Sequence, residues 1–564
     1  MTVVGLLGDG PAVEAVRAAL GDAAADPTHV DAAAAGQVDL AVCVGAATDG
    51  IDDAAGVVRA SGTPHVVVEL GGVGGRPVAG VDAAVSGHAP GTACYDCLRQ
   101  RVAAVGEETA GSEVDAATAR YAGAVAGREA AVLVDGGESP VLGGVIEVPH
   151  ERRRLLPVPG CDCATGRDRS LALDERERSL EAALASAEAA FDARLGPVTA
   201  VAEAESFPVP YYIATLSSTP FADMDPPDHA AGVAADWDPA FMKALGEALE
   251  RYSAAAHRTA TLESDPATPL APSRFVQPGD PVAAGAVEAW YPADRLADGE
   301  SVHLPAEVVL FPPPARRIRP AVTTGLGLGN GGVGAVLSGL YEVIERDAAM
   351  LAWYSTYEPV GLAVDDGAYE TLAARARSED LAVTALSLTQ DVDVPVVAAC
   401  VHRDGEWPRF AAGMAASLDP TSAAREALEE ALQNWTELRR MGPDRAADES
   451  GAIGRYADLP AAARAFVDPG TTVPAGTVGP EAIPEGRAAL EAVIERLAAA
   501  DMAVYAARLT PRDVEGLGFE AVRVVLPRAQ PLFTGDAYFG ERARTVPGTF
   551  GYEPRLDRDH HPFP

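Results

Sequence analysis

Lysine is almost missing from this sequence: Lys243 is the only one in 564 residues, and arginine supplies every other basic side chain. That absence excludes a Walker-type phosphate loop, which needs a lysine directly after its glycines. Net positive charge is missing as well. With 82 acidic residues against 44 basic ones, the net charge is −38, which argues against a nucleic-acid-binding surface built on a basic patch. Six cysteines in so long a chain are too few for a disulfide framework, and their clustering suggests metal instead. No uncharged apolar run approaches the ~20 residues of a membrane span, and no cationic leader opens the chain, so a cytoplasmic protein without a membrane partner is expected. What is abundant is acid and alanine, a salt-adapted, halophilic composition that describes solvent more than partner. The length and the 48% hydrophobic content predict a globular protein of more than one domain.

The single lysine sits in a predicted helix over 238–252. Asp238 and Pro239 read as an N-cap and a first-turn proline, and Lys243, Glu247 and Glu250 then fall at i, i+4 and i+7 on one face. Lys243 and Glu247 could form a simple surface pair, and in so acidic a chain a pair of glutamates is ordinarily a solvated face. Repetition changes that reading. A glycine-rich loop over 320–334 runs into a second predicted helix, 335–353, which carries Glu342, Glu345, Arg346 and Asp347. A third helix, 421–440, carries Arg425, Glu426, Glu429, Glu430 and Gln433. Carboxylates set among alanine, leucine and isoleucine are costly unless paired or metal-bound. Three helices of this kind point to a magnesium nucleotide site, with Glu247, Glu250, Glu342 and Glu345 on the magnesium and Lys243 as a point charge for phosphates. The glycine amides at the start of the second helix are expected to take anionic oxygens.

The beginning of the chain alternates strand and helix: strands at 2–7, 38–44 and 65–70, with a helix at 12–20 after a glycine turn. This is a doubly wound α/β start, and Gly5, Gly8 and Gly10 lack the spacing of a dinucleotide loop. Cys94 and Cys97, then Cys161 and Cys163, offer four thiolates to one structural zinc, the alternative being unligated thiols. Cys43 and Cys400 are expected in the core. A charged helix over 168–195 marks the boundary. The expected fold is an α/β domain with a zinc site over 1–190 and an α+β ATP-binding domain over 191–564.

Residues 83–98 resemble the zinc-bearing part of the ubiquitin-activating-enzyme-like domains that accompany peptide cyclodehydratases. Those relatives usually carry a leader-binding winged-helix module first, and this chain opens on its first strand, so the resemblance implies a scaffold or docking domain. The second half resembles the YcaO family, of the SagD-like cyclodehydratase type that forms thiazoles and oxazoles in peptides. Lys243, Glu247, Glu250 and Arg251 match its first motif, 324–330 with Glu342, Glu345, Arg346 and Asp347 its second, and Ala427, Leu428, Glu430, Ala431 and Gln433 its third. Gly232-Val-Ala stands where relatives often have Gly-Lys-Gly. A further helix around 490–496 imitates the motif with the wrong spacing and is assigned to packing. The resemblance implies an ATP- and magnesium-dependent enzyme acting on the backbone amides of a ribosomally made peptide, with Lys243, Glu247, Glu250, Arg251, Glu342, Glu345, Arg346, Glu426, Glu430 and Gln433 around the nucleotide. It also implies a catalytic part for the carboxylate of Pro564, a possible homodimer, and a separate leader-binding or dehydrogenase partner. Thioamide formation with a TfuA-like partner, or a non-catalytic docking role, are the alternatives. Histidines 560 and 561 are expected to be solvated.

Overall fold

The computed structural model describes residues 2–21, 23–48, 50–106, 114–149, 151–164, 166–448 and 452–563. Seven strands open the chain: β1 (Thr2–Leu7), β2 (Ala25–His29), β3 (Leu40–Ala46), β4 (His65–Leu70), β5 (Ala83–His88), β6 (Gly144–Val148) and β7 (Glu151–Arg154). They form one sheet in the order β2-β1-β3-β4-β5-β6-β7. The first four are parallel, as the alternation of strand and helix requires, and the last three run antiparallel. β3 and β4 lie inside the sheet with both faces covered, so they read as continuous apolar runs. Helices Pro11–Leu20 and Ala116–Val134 pack on one face, Ile51–Ala60 and Tyr95–Val105 on the other. The first two approach so closely that a Cβ on Gly123 would stand 2.2 Å from the carbonyl of Ala12.

The charged segment beyond this sheet corrects the expected helix over 168–195. Only Leu180–Glu188 is helical, and residues 168–179 form neither helix nor strand. Their polar groups make contacts across the molecule instead of along a helix. Arg508 donates to the carbonyl of Asp168, the amide of Arg487 donates to Glu175, and the amide of Gly332 donates to Asp174 at 3.0 Å.

The remainder holds a three-stranded antiparallel sheet and two five-stranded sheets. Three long helices are sandwiched among them: Trp237–Ala255, Gly332–Trp353 and Pro420–Met441. Their apolar stripes fix the packing, since Leu245, Leu249 and Tyr252, then Leu340 and Ile344, then Leu428 and Leu432 are all buried. The first helix starts two residues earlier than expected, with Asp236 rather than Asp238 at the N-cap. Helix Gly486–Ala499 buries Leu490, Val493 and Leu497 in the largest core cluster. A second apolar cluster runs without interruption from Cys94 and Leu98 through Leu249 and Tyr252 to Phe519. The N-terminal sheet and the first long helix therefore share one core.

That junction also buries charge. Arg101 donates to Asp513 at 2.5 Å with both side chains shut off from solvent. The hydroxyl of Tyr252 donates to the same carboxylate at 2.6 Å. A buried pair of this kind is worth little by itself, but removing one partner strands the other charge at a cost of about 3–5 kcal/mol. Tyr252 lies two residues beyond Glu250, so the junction fixes the register of the first carboxylate helix.

Candidate active site

The three long helices bring their glutamates to one place. On the first, Glu247 accepts from the amide of Ala231 at 2.6 Å and pairs with Arg251 at 2.5 Å, while Arg251 also donates to the carbonyl of His229. On the second, Glu342 accepts from the amide of Gly325 at 2.9 Å. Arg346 stands 3.7 Å from Glu342 and 3.6 Å from Glu345. On the third, Glu430 accepts from the amide of Met414. Gln433 donates to Glu437 at 3.0 Å, and Glu437 also receives the hydroxyl of Tyr211.

Burial is the main electrostatic fact here. It raises Glu247, Glu250, Glu345, Glu426 and Glu430 above the usual glutamate range, and mutual repulsion adds to it. Glu250 is pushed up by burial and then by Glu342 and Glu247. In Glu345 burial is opposed by Arg346 and reinforced by Glu430 and Glu342. The resident positive charges are fewer than the carboxylates they face, so an added cation would be stabilised there. It is not a closed cage, however. Among the described residues, the only group of ligand atoms lying within 4.8 Å of one another is a set of four cysteines. Separated carboxylates suit magnesium, which keeps several waters and is held by one or two carboxylates together with phosphate oxygens.

Two details differ from what the sequence suggests. Lys243 neither pairs with Glu247 nor points to a free space. Its Nζ lies 2.6 Å from Glu429 of the third helix, and Glu429 also accepts from the amide of Ala235. Glu429 is thus a site residue that spacing alone did not single out, because its partner lies 186 positions away. The second difference is at the glycine-rich loop. The Asp174 carboxylate already occupies the amide of Gly332, and a Cβ on Gly332 would stand 1.7 Å from the carbonyl of Ala172. The linker covers that helix start, so its amides do not form an open phosphate cradle.

Asp347, next to Arg346, turns away from the carboxylates. Arg542 holds it with two donors at 2.7 and 3.0 Å, and the amide of Gln530 adds a third. The end of the chain is equally well anchored. Trp353, the last residue of the second helix, donates to the carbonyl of Asp559 at 2.9 Å and stacks under Arg558. His561 and Phe563 are fully buried. The expectation that both tail histidines are solvated is therefore corrected: burial holds His561 neutral, its imidazole pulled down to about 3. Pro564, the expected catalytic carboxylate, lies outside the described residues.

The four cysteines make a second, separate centre. Cys94 and Cys97 open helix Tyr95–Val105, and Cys161 and Cys163 lie in the turn after β7. Their Sγ atoms are 3.6 Å apart for Cys94–Cys161 and Cys97–Cys163, and 3.8 Å for Cys94–Cys97. Four thiolates about 2.3 Å from a tetrahedral ion would be about 3.8 Å apart, so the donor set fits such an ion. Outer partners are in place too: the Val158 amide lies 3.3 Å from Cys97, and Arg512 lies 3.0 Å from Cys163 and 3.4 Å from Cys97. Cys43 and Cys400 are buried, and burial raises both thiols.

The model of the family described as YcaO cyclodehydratase, ATP- and Mg2+-binding, matches residues 231–530. The chain belongs to the YcaO family. All three glutamate helices of this YcaO chain fall within the match, and as a member of that family it is an ATP-dependent cyclodehydratase-type enzyme. An uncharacterized protein of Methanothermobacter thermautotrophicus is 29% identical over 332 residues, covering 56% of this chain and 85% of the other. The fold resembles a heterocyclase solved with substrate and cofactor, with a TM-score of 0.73 at 19% identity, over 98% of this chain and 83% of that one. It also resembles the heterocyclase TruD, with a TM-score of 0.67 at 18% identity, over 97% and 81% of the two chains. Both likenesses span the N-terminal sheet as well as the YcaO domain, so the two-part α/β architecture is shared along the whole chain.

Proposed function

We propose that this chain activates backbone amides of a ribosomally made peptide with ATP and closes Cys, Ser or Thr side chains onto them as azolines. The observation that carries the reading is the convergence of Glu247, Glu250, Glu342, Glu345, Glu426 and Glu430 inside the family match. Glu250 and Glu345, the two pushed furthest up, are the carboxylates with most to gain from a cation. Magnesium, when bound, neutralises charge developing on the transferred phosphoryl group. Arg346 holds Glu342 and Glu345 in place from the same helix, and Arg251 does so for Glu247. Lys243, held by Glu429 at the edge of the cluster, can swing its ammonium to a phosphate oxygen. The side-chain thiol or hydroxyl of the peptide gives up its proton and adds to the preceding carbonyl carbon; the resulting oxyanion takes the γ-phosphoryl group, releasing ADP, and phosphate leaves as the amide nitrogen loses its proton and forms the C=N bond of the ring.

We assign the four cysteines to a structural zinc, which leaves no open position for chemistry, and the units 1–190 and 191–564 to scaffold and catalytic roles. Oxidation to azoles would fall to a separate dehydrogenase partner, and leader recognition to a further partner, with a homodimer as the expected assembly. Pro564 is retained as a candidate catalytic carboxylate. An acidic surface with a single lysine fits a salt-rich cytoplasm. The test is ADP release in the presence of a Cys-containing precursor peptide, followed by mass spectrometry. Loss of 18 Da per modified residue, about the mass of one water, is the expected product of phosphoryl-assisted ring closure; sulfur-for-oxygen exchange would overturn it.

A further inference from the structure

The helix that carries Lys243, Glu247 and Glu250 begins in an open groove that the reading above does not use. The groove has a volume of about 790 Å³, and Leu180, Phe207, Pro210, Trp237 and Pro239 supply its apolar wall. Leu180, Phe207 and Trp237 are 41%, 40% and 46% exposed. A single large apolar side chain in water is ordinary, whereas three around one groove mark an interaction surface.

Fixed structure backs this groove and ties it to the glutamate cluster. Phe241, one turn after Trp237 on the same helix, packs edge-to-face on Tyr212 with ring centroids 5.4 Å apart. Arg375, on the groove wall, donates to the carbonyl of Ala235 at 2.7 Å. The amide of Ala235 donates in turn to Glu429, the carboxylate that holds Lys243. A ligand in the groove therefore lies against the chain segment that positions the lysine.

Two further features say what kind of ligand fits. Asp236 and Asp238 line the groove and are exposed. The side chain of Asp236 makes no hydrogen bond to the helix it caps, and among the described residues neither carboxylate forms an ion pair. The groove thus offers unpaired negative charge beside its apolar wall, which favours a cationic partner. The second feature is a free strand edge. Phe207 follows strand Val198–Glu205, the outer strand of the three-stranded sheet, and among the described residues 200–205 pair with strand Tyr211–Leu216 on one side only. Unpaired main-chain donors and acceptors next to a groove suit an extended peptide better than a small apolar molecule.

We infer that this groove docks a segment of the substrate peptide in which a bulky apolar side chain neighbours a basic one. The apolar side chain lies against Trp237, Phe207 and Leu180, and the basic one pairs with Asp236 and Asp238. That the docked peptide is the substrate rests on the proposed function, while the groove itself stands on its walls and charges. A peptide held here keeps its reacting residue close to the first glutamate helix, which raises the effective concentration of that residue at the ATP site.

Fluorescence anisotropy on the full chain, with a short fluorescein-labelled peptide of core sequence Leu-Phe-Arg-Arg as the probe, tests it. The full chain should bind this peptide, and should bind versions with Glu-Glu for Arg-Arg, or Ser-Ser for Leu-Phe, about tenfold more weakly. Trp237→Ala should weaken binding about tenfold, as the loss of one aromatic anchor does. Asp236→Asn combined with Asp238→Asn should erase the preference for arginine over glutamate and keep the dependence on Leu-Phe. All three side chains are exposed, so these variants should melt like the parent. No binding by the full chain, or equal binding by the full chain and Trp237→Ala, overturns the inference. So does a dimer that dissociates on Trp237→Ala in sedimentation velocity, since a second copy would then fill the groove. Magnesium-ATP titrated into the same samples separates the two readings. ATP binding without peptide binding removes only the docking groove, whereas peptide binding without ATP binding removes the proposed function.

Discussion

The two charged centres of this protein solve opposite problems. At the cysteine cluster, four sulfurs lie within 4.8 Å of one another, at the spacing that suits one tetrahedral ion. At the glutamate cluster, the carboxylates come from three helices, stay apart, and are individually raised by burial. The first arrangement is closed and suits architecture. The second is open, and the proposed function gives it a cation and phosphate oxygens to balance its charge. They are also physically linked, because Arg512 reaches the thiolates while its neighbour Asp513 holds Arg101 and Tyr252.

Perturbing each centre separately should show this contrast. The largest effect is expected from Glu345→Gln or Glu250→Gln, which should reduce ATP turnover by at least about a hundredfold, the loss of about 2.7 kcal/mol of transition-state stabilisation. The melting temperature should hold or rise, because a repelled, desolvated charge is removed. Melting and turnover measured on the same preparation check this, and a collapse of the fold would instead make these residues structural.

Cys97→Ser comes next. It should release the bound ion, measured by metal analysis, and lower stability by several kcal/mol, because metal-binding free energy is folding free energy at such sites. The damage should spread to the ATP site through Arg101, Asp513 and Tyr252. A variant that lost metal yet melted like the parent would separate the two centres.

A pH series sharpens the contrast further. The five raised glutamates hold protons in the folded state that the unfolded chain has already released, so their contribution to stability declines as pH rises above the usual glutamate range. Magnesium with ATP should reverse that decline, giving a ligand-induced rise in melting temperature that is larger at pH 8 than at pH 5.5, roughly the two ends of this window. A ligand shift independent of pH would mean that these carboxylates do not meet the cation. The smallest effect is expected for Lys243→Ala. The side chain is half-exposed, so stability should change little, while ATP affinity falls about tenfold for a lost phosphate contact.

The elements that carry these centres were legible in the sequence to differing degrees. Strands β1 and β4 and the three glutamate helices stand out by periodicity, and the cysteine pairs by spacing, because those signals are local. The partners of Lys243 and Asp347, the covering of Gly332 by Asp174, and the Arg101–Asp513–Tyr252 junction depend on contacts between residues from about 150 to more than 400 positions apart. No local pattern encodes them. The stretch 168–179 misled for a related reason: alternating charges favour a helix only when they pair along it, and here Asp174 and Glu175 accept from main-chain amides elsewhere in the chain.

Titration calorimetry of ATP, with and without magnesium, on the full chain and on Glu345→Gln tests the central claim most directly. Binding that requires magnesium and disappears in the variant is the predicted result. Magnesium-independent binding, or equal affinity in both proteins, would contradict a nucleotide site built on these glutamates.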